Sequence, residues 1–389
     1  MNRILYITKH NPWGRGGGSK VSQMYLEAFR QIFANYIIDL CIADNIPYCD
    51  IPETFKNSEN IHLIAVPPRS TLSRLLSPIT GITHRYQNIA IKLLRTNTYD
   101  FCILDHSSIA GTLVKKISGK IKIITIHHNF EPDYFKDNTP NFITRTLLLP
   151  TVIKCEYKAF KKSTVNIFLT KDDLNQFIDI HGISNATNVV TGLFETDANF
   201  VANPVSTLLL SVPTIIITGS LNNIQNMDAI RYFIHYLYPI IPSHCKIIIA
   251  GQHPAQEIIN LLTDKPNITL IPNPPKMDNI IHMGNIFLSP AYTGGGIKVR
   301  VTDGLKNGLP VIAHDVSARG YSTYIEKGYF KTFSNPNQFA NQLNILLNEI
   351  KSESLKANEI ANYYQSESSL TRAIAILRQT IFKKCLRSV

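Results

Sequence analysis

Short runs of isoleucine and valine recur along the chain, continuous rather than alternating, between longer stretches of helical periodicity. In the first half they fall at Ile4–Thr8, Ile37–Ile42, Ile61–Val66, Phe101–Asp105, Ile121–Ile126 and Val165–Leu169. A strand that is apolar at every position is buried on both faces, as in a parallel sheet with a helix on either side. The intervening segments, such as Lys20–Ala34 and Tyr86–Thr96, have the spacing of amphipathic helices. The pattern restarts in the second half. Strands are predicted at Ile215–Thr218, Lys246–Ala250, Ile268–Ile271, Ile286–Ser289 and Val311–Ala313, and helices at Met227–Tyr238, Ala255–Thr263, Lys298–Asn307 and Pro336–Ile350. Between the halves, Glu195–Pro213 has no periodicity and reads as a linker. The sequence therefore predicts an α/β protein of two doubly wound, Rossmann-like domains facing a cleft, with ligands beyond the carboxyl ends of the strands. The boundary is placed at residue 200.

Composition excludes several alternatives. With 389 residues, 44% hydrophobic and 17% charged, the chain can bury real cores, so it is neither disordered nor a coiled coil. No apolar run reaches the ~18 residues of a membrane span. Ile4–Ile7 is too short for a signal-peptide core, so a cytoplasmic protein is expected. The six cysteines are scattered, without a CxxC or a Cys/His cluster, and read as free thiols. The formal charge is +11. Asn60–Tyr99 holds no acid but carries Arg69, Arg74, Arg85, Lys92 and Arg95, and the last residues, Thr371–Val389, are likewise acid-free and basic. Basic and apolar residues interleaved in this way suit an anionic membrane surface better than a duplex, and a soluble helix with a solvated face stays open beside it. The stretches hold few aromatics and no nucleic-acid motif, so nucleic acid is not an expected partner.

Four loops carry the candidate chemistry. Gly14-Arg15-Gly16-Gly17-Gly18-Ser19 opens the first helix and leaves backbone N–H groups, at Gly17 and Gly18 above all, free to meet an anion. Its spacing fits neither GxGxxG nor GxxxxGK[ST]. Ser289–Ile312 reads strand, glycine loop, helix, glycine turn, strand. There Gly294, Gly295 and Gly296 are placed at a helix N-terminus suited to a diphosphate, with Lys298 and Arg300 in the first turn. Cations there oppose the helix dipole, which an anionic ligand would explain. Asp303, seven residues after Gly296, could accept hydrogen bonds from two ribose hydroxyls. His127-His128 closes the strand Ile121–Ile126, and His106 follows the strand Phe101–Asp105. Adjacent histidines in extended chain face opposite ways, so no metal site is expected from them. Asp172-Asp173 reads as an acidic helix start.

Taken together, "TGSLNNIQNMDAIRYFI", "KIIIAG", "GGGIKVRVTDGLKNGLPVIA" and "ARGY" between Thr218 and Tyr321 resemble the GT-B-fold glycosyltransferases of group 1, family 4. "HHNFE" and the first glycine loop are similar to the family's N-terminal half. The resemblance implies a nucleotide-diphosphate sugar donor held by residues 201–365. It implies a glycan or lipid-linked acceptor held by residues 1–200, that domain being completed by a helix at about 366–389 whose basic tail shares a face with Arg69–Arg95. It also implies glycosyl transfer with retention and without metal or other cofactor, and a setting in cell-surface polysaccharide synthesis. His128 matches the family's active-site histidine, with His127 the alternative by one register. Asp303 matches the second acid of the family's donor motif, while the first falls on Gly295. The usual Arg/Lys pair after the first C-domain strand is missing from Gly219–Asn223, leaving Lys298 and Arg300 as substitutes. An inverting transferase, a nucleotide-sugar epimerase or a non-catalytic nucleotide-sugar-binding protein on the same fold stays open.

Overall fold

The computed structural model describes residues 2–383 except Arg15 and Pro140. It divides into two compact units, Met1–Ala198 with Ser368–Val389, and Asn199–Glu367.

The first unit is built on seven strands: β1 Arg3–Thr8, β2 Ile37–Ala43, β3 Ile61–Val66, β4 Phe101–Asp105, β5 Lys122–His127, β6 Val165–Phe168 and β7 Thr187–Val190. Their order is β3-β2-β1-β4-β5-β6-β7, every pair parallel. Alternation along β1 assigns the helices to two faces. Leu5 and Ile7 pack with Tyr86 and Ala90 of helix His84–Thr96 and with Ala159 of helix Phe142–Lys162. Tyr6 meets Phe29 of helix Gly17–Ile32 on the opposite face. Helix Leu370–Ile381 joins that second face, packing on Gly17–Ile32 and on β7.

This placement corrects one expectation. The closing helix and the basic Arg69–Arg95 stretch lie on opposite faces of the sheet, because the closing helix buries Leu370, Ala373, Leu377 and Ile381. Its arginines are engaged locally, Arg372 donating to the Thr191 carbonyl and Arg378 to that of Gln31. Lys384 and Arg387 of the basic tail lie outside the described residues.

The second unit has six strands: β8 Thr214–Ser220, β9 Lys246–Gln252, β10 Ile268–Pro272, β11 Ile286–Ser289, β12 Val311–His314 and β13 Phe330–Phe333, in the order β10-β9-β8-β11-β12-β13, again all parallel. β7 and β13 are the two strands that periodicity missed. Both are four-residue edge strands carrying polar positions, so neither shows a continuous apolar run. The helix predicted at Met227–Tyr238 is regular over Ile224–Tyr232 and then widens into a π turn at Phe233–Leu237. The acid pair is structural: Thr170 caps helix Lys171–His181, accepting from the Asp173 N–H and donating to its carboxylate.

No helix among the described residues is long and apolar enough to cross a membrane. The five described cysteines are free thiols, four of them buried.

Candidate functional site

In the first unit the polar side chains gather beyond the carboxyl ends of β1, β4 and β5, beside the point where strand order reverses. Lys9 and His10 leave β1, Asp105 and His106 end β4, and His127 and His128 end β5. The two histidines that the sequence left open occupy different environments. His127 stacks on Phe168 with ring centroids 4.7 Å apart, meets the edge of Phe177 at 4.7 Å, and bonds Asn166 through Nε2. It is a core histidine, and burial pushes its pKa down to about 3.

His128 turns the other way. Its Nε2 lies 2.6 Å from Asp105 Oδ1, and its ring stacks on His10 at 5.4 Å and meets His106 at 5.3 Å. Burial raises the Asp105 carboxyl, but His128 and the hydroxyls of Ser22 and Thr8 outweigh that and hold it below the usual carboxylate range. His128 donates through Nε2 to Asp105, which turns its Nδ1 away from that carboxylate. That Nδ1 is buried and has no protein partner. His127 Nδ1 is likewise buried without a partner, but among the phenylalanines of the core, whereas His128 Nδ1 belongs to the polar cluster.

A second carboxylate supports the cluster. Glu131 Oε1 lies 2.9 Å from His106 Nε2 and Oε2 lies 3.9 Å from Lys9 Nζ. Burial raises its pKa, yet His106 and Lys9 bring it down to about 2. The Glu131 N–H donates to Glu156 Oε2, 2.7 Å away. His106 has φ of 114°, a strained left-handed conformation costing about 1–3 kcal/mol. The Ser108 N–H and hydroxyl, both on His106 Nδ1, hold it there. Burial pushes His10 down to about 2 and His106 to about 4, so both rings are neutral at neutral pH.

Gly18, in the first turn of helix Gly17–Ile32 behind its N-cap Gly16, faces this cluster: a Cβ there would stand 2.8 Å from the His10 ring. The absent side chain lets His10 lie against the helix start, next to Gly17. Arg15 of this loop lies outside the described residues.

In the second unit the glycine loop follows β11, again where strand order reverses, at β8/β11. Gly294 and Gly296 have positive φ, 91° and 70°. Gly295 does not, so nothing in its backbone demands glycine in place of the family's acid. One expectation is corrected here. Helix begins at Val301 and spans only Val301–Lys306. Lys298 and Arg300 therefore precede it, in tight turns whose N–H groups at Val301 and Thr302 reach back to Lys298 and Val299. The proposed clash with the helix dipole disappears. Instead Lys298 Nζ curls over the loop onto the Gly294 carbonyl at 3.0 Å. The helix start that Gly294 meets belongs to Ile224–Tyr232, whose Gln225 amide would lie 2.7 Å from a Cβ at Gly294.

Asp303 pairs with Lys306 at 3.4 Å, and Lys306 also reaches Asp278 at 3.4 Å. Behind it, Gly304 lies against Phe287 of β11, where a Cβ would be 2.6 Å from the ring. The turn after β12 holds the loop from behind: Ser317 donates to the Ala291 carbonyl at 2.7 Å, and the buried Tyr321 to that of Lys298 at 2.9 Å.

The structure thus brings Gly18 to His128 through His10 in one unit, and Lys298 onto the loop Gly294–Gly296 in the other, with Gly17 and Arg300 adjoining in the chain and Asp303 on the following helix. Reading residues alone missed Lys9, His10, Asp105, Glu131, Ser317 and Tyr321. The first three end or follow apolar strands, and the rule that drew attention to His127-His128 applies to them equally. Among the described residues no group of three His, Cys, Asp or Glu could hold a metal ion.

Residues 212–349 match the model of the family described as glycosyl transferases group 1. No curated protein matches the sequence. Among solved structures, sucrose-phosphate synthase from Thermosynechococcus elongatus superposes with a TM-score of 0.75 at 12% identity, covering 100% of both chains. HepE of Anabaena, solved with UDP and glucose, gives 0.68 at 10% identity over 98% of this chain and 100% of that one. The lipopolysaccharide outer core galactosyltransferase WaaB gives 0.66 at 12% identity, over 99% and 100%. The fold is that of GT-B glycosyltransferases. The stretch similar to that family contains the glycine loop, Lys298 and Asp303.

Proposed function

We propose that this protein transfers a glycosyl group from a nucleoside diphosphate sugar to a glycan or lipid-linked oligosaccharide, in cell-surface polysaccharide synthesis at the cytoplasmic face of a membrane. The observation that carries the reading is the loop Gly294–Gly296, inside the stretch similar to the group 1 family, with Lys298 folded over it. The loop's N–H groups, Lys298 and Arg300 supply positive potential for a leaving diphosphate, the preorganised stabilisation that lowers a transfer barrier by several kcal/mol. Asp303 is the carboxylate for the ribose. Rotation of Lys298 Nζ from the Gly294 carbonyl to a phosphate oxygen frees that carbonyl for the sugar. HepE, solved with UDP and glucose, has the same fold, which favours a uridine donor.

In the first unit His128 Nδ1 accepts from a hydroxyl of the substrate, with Asp105 fixing the tautomer and orientation. Transfer proceeds with retention and needs no metal, the counter-charge coming from Lys298 and Arg300. Incubation with UDP-sugars and a lipid-linked acceptor, followed by NMR of the product, tests this. Retained anomeric configuration and unchanged rate in EDTA are expected. An inverted or epimerised sugar, or a rate abolished by EDTA and restored by a divalent cation, would overturn it.

A further inference from the structure

Two helical segments of the first unit place large apolar side chains in solvent. In helices Thr71–Leu75 and Ser77–Thr80, Leu72, Leu75 and Ile79 are 64%, 73% and 82% exposed. In the first turns of helix Phe142–Lys162, Phe142, Ile143 and Leu147 are 68%, 68% and 57% exposed. The two segments adjoin: Thr151 donates to the Pro78 carbonyl, and Gly81 lies against Thr151 and Cys155. Six large apolar side chains on neighbouring elements make a patch that a soluble surface does not ordinarily carry.

Within the two segments themselves the charge has one sign. The sequence holds no Asp or Glu from Asn60 to Tyr99, nor from Asn138 to Cys155. Burial, and after it the nearby charges of Arg74 and Arg85, push the Arg69 pKa below its usual value, and Arg145 lies beside Phe142, 5.8 Å from its ring. None of the four arginines is in an ion pair among the described residues. Arg69 Nε is buried without a hydrogen-bond partner. Like charges held together with no carboxylate are stabilised when an anion joins them. Along the helix from Phe142, Arg145, Leu149 and Ile153 line an open groove of about 650 Å³ that is mostly apolar.

We infer that this face of the first unit lies on a bilayer of anionic phospholipid, with Leu72, Leu75, Ile79, Phe142, Ile143 and Leu147 entering the acyl boundary and the arginines binding lipid phosphates. None of these helices is long and apolar enough to span, so the protein lies on the surface. Arg85 donates to the Pro67 carbonyl at 2.8 Å, while Arg74 and Arg145 stand with the exposed apolar side chains. The inference deepens the proposed function by putting the acceptor-binding unit where a lipid-linked acceptor is presented. It is read without any sugar transfer, so the two can fail separately.

The test is co-sedimentation of the full chain with phosphatidylcholine vesicles, with and without phosphatidylglycerol. Wild type is expected to bind the anionic vesicles at low salt and to be released by high salt. Arg74→Glu with Arg145→Glu, and separately Leu75→Ser with Ile79→Ser, should each weaken binding at least about tenfold, since a basic residue near such a surface and a buried apolar side chain each count for about that much. These positions lie at the surface, and an unchanged Tm verifies that the variants fold. No binding of wild type at low salt, equal binding of the variants, or a concentration-dependent dimer that the same substitutions dissolve while vesicles are ignored would each overturn the inference.

Discussion

Acidification from pH 7 to pH 5 is expected to destabilise the N-terminal unit by several kcal/mol. Three histidines there, His10, His106 and His127, have folded pKa values of about 2, 4 and 3 because burial disfavours the charged ring. The unfolded chain binds those protons near pH 6.5. The sign follows from linkage: a depressed histidine pKa contributes stability that is complete above the unfolded value and lost as pH falls below it. Each histidine kept neutral costs about 1.4 kcal/mol per pH unit below 6.5. Glu131, held at about 2, loses its own contribution only lower, as pH drops below the normal carboxylate value near 4.5. Glu156, pushed up by burial and then by its carboxylate neighbours, favours acid and offsets part of this below neutrality. Urea midpoints measured between pH 7 and 5 should fall steadily. A flat profile would show that the three rings are solvated or paired differently.

His128→Ala is expected to lower kcat by ~10²–10⁴-fold, the range for a positioned side chain that exchanges hydrogen bonds with the reacting groups. The same change takes one charge-assisted hydrogen bond from the buried Asp105, a loss of about 1.5–3 kcal/mol. Stability and chemistry must therefore be separated. Asp105→Asn with His128→Asn removes charge and ring together, so its urea midpoint should lie closer to that of wild type while kcat stays low. If the double variant regains activity along with stability, His128 serves the fold and not the reaction. Asp105 acts through His128, and Asp105→Asn alone should change the pH profile of kcat as well as its size, which a purely structural role would not.

Much of this was legible in the sequence, for reasons that can be named. Strands such as Ile4–Thr8 and Lys246–Ala250 are buried on both faces, and continuous apolar runs announce that. Thr187–Val190 and Phe330–Phe333 are only four residues long and interrupt their apolar residues with polar ones, so no continuous run marks them. Gly294 and Gly296 stood out because turns with positive φ select glycine. The helix boundary after them was read three residues early, because Lys298–Arg300 has helical composition while its N–H groups close tight turns before the regular helix. Partners separated by many residues were out of reach. That His128 pairs with Asp105, and Glu131 with His106, depends on β4 and β5 lying side by side, which periodicity does not state. Likewise the hold of Ser317 and Tyr321 on the glycine loop comes from the adjacency of β11 and β12. The acid-free basic stretches were visible as composition, but only the fold separates them onto opposite faces of one sheet.

The central claim is that the second unit binds the diphosphate of a sugar donor through Gly294–Gly296 and Lys298. Thermal unfolding with UDP, GDP, ADP, dTDP and CMP, on wild type and Lys298→Ala, tests it directly. A nucleotide at ~100 times its Kd adds ~2.7 kcal/mol of stability, a readily visible shift in Tm. Loss of one charge-assisted hydrogen bond removes ~1.5–3 kcal/mol of binding, about 10- to 100-fold in Kd. The account predicts that one nucleoside diphosphate, UDP first among them, raises the Tm of wild type and raises that of Lys298→Ala much less at the same concentration. Equal shifts in the two proteins, or none with any diphosphate, would contradict it.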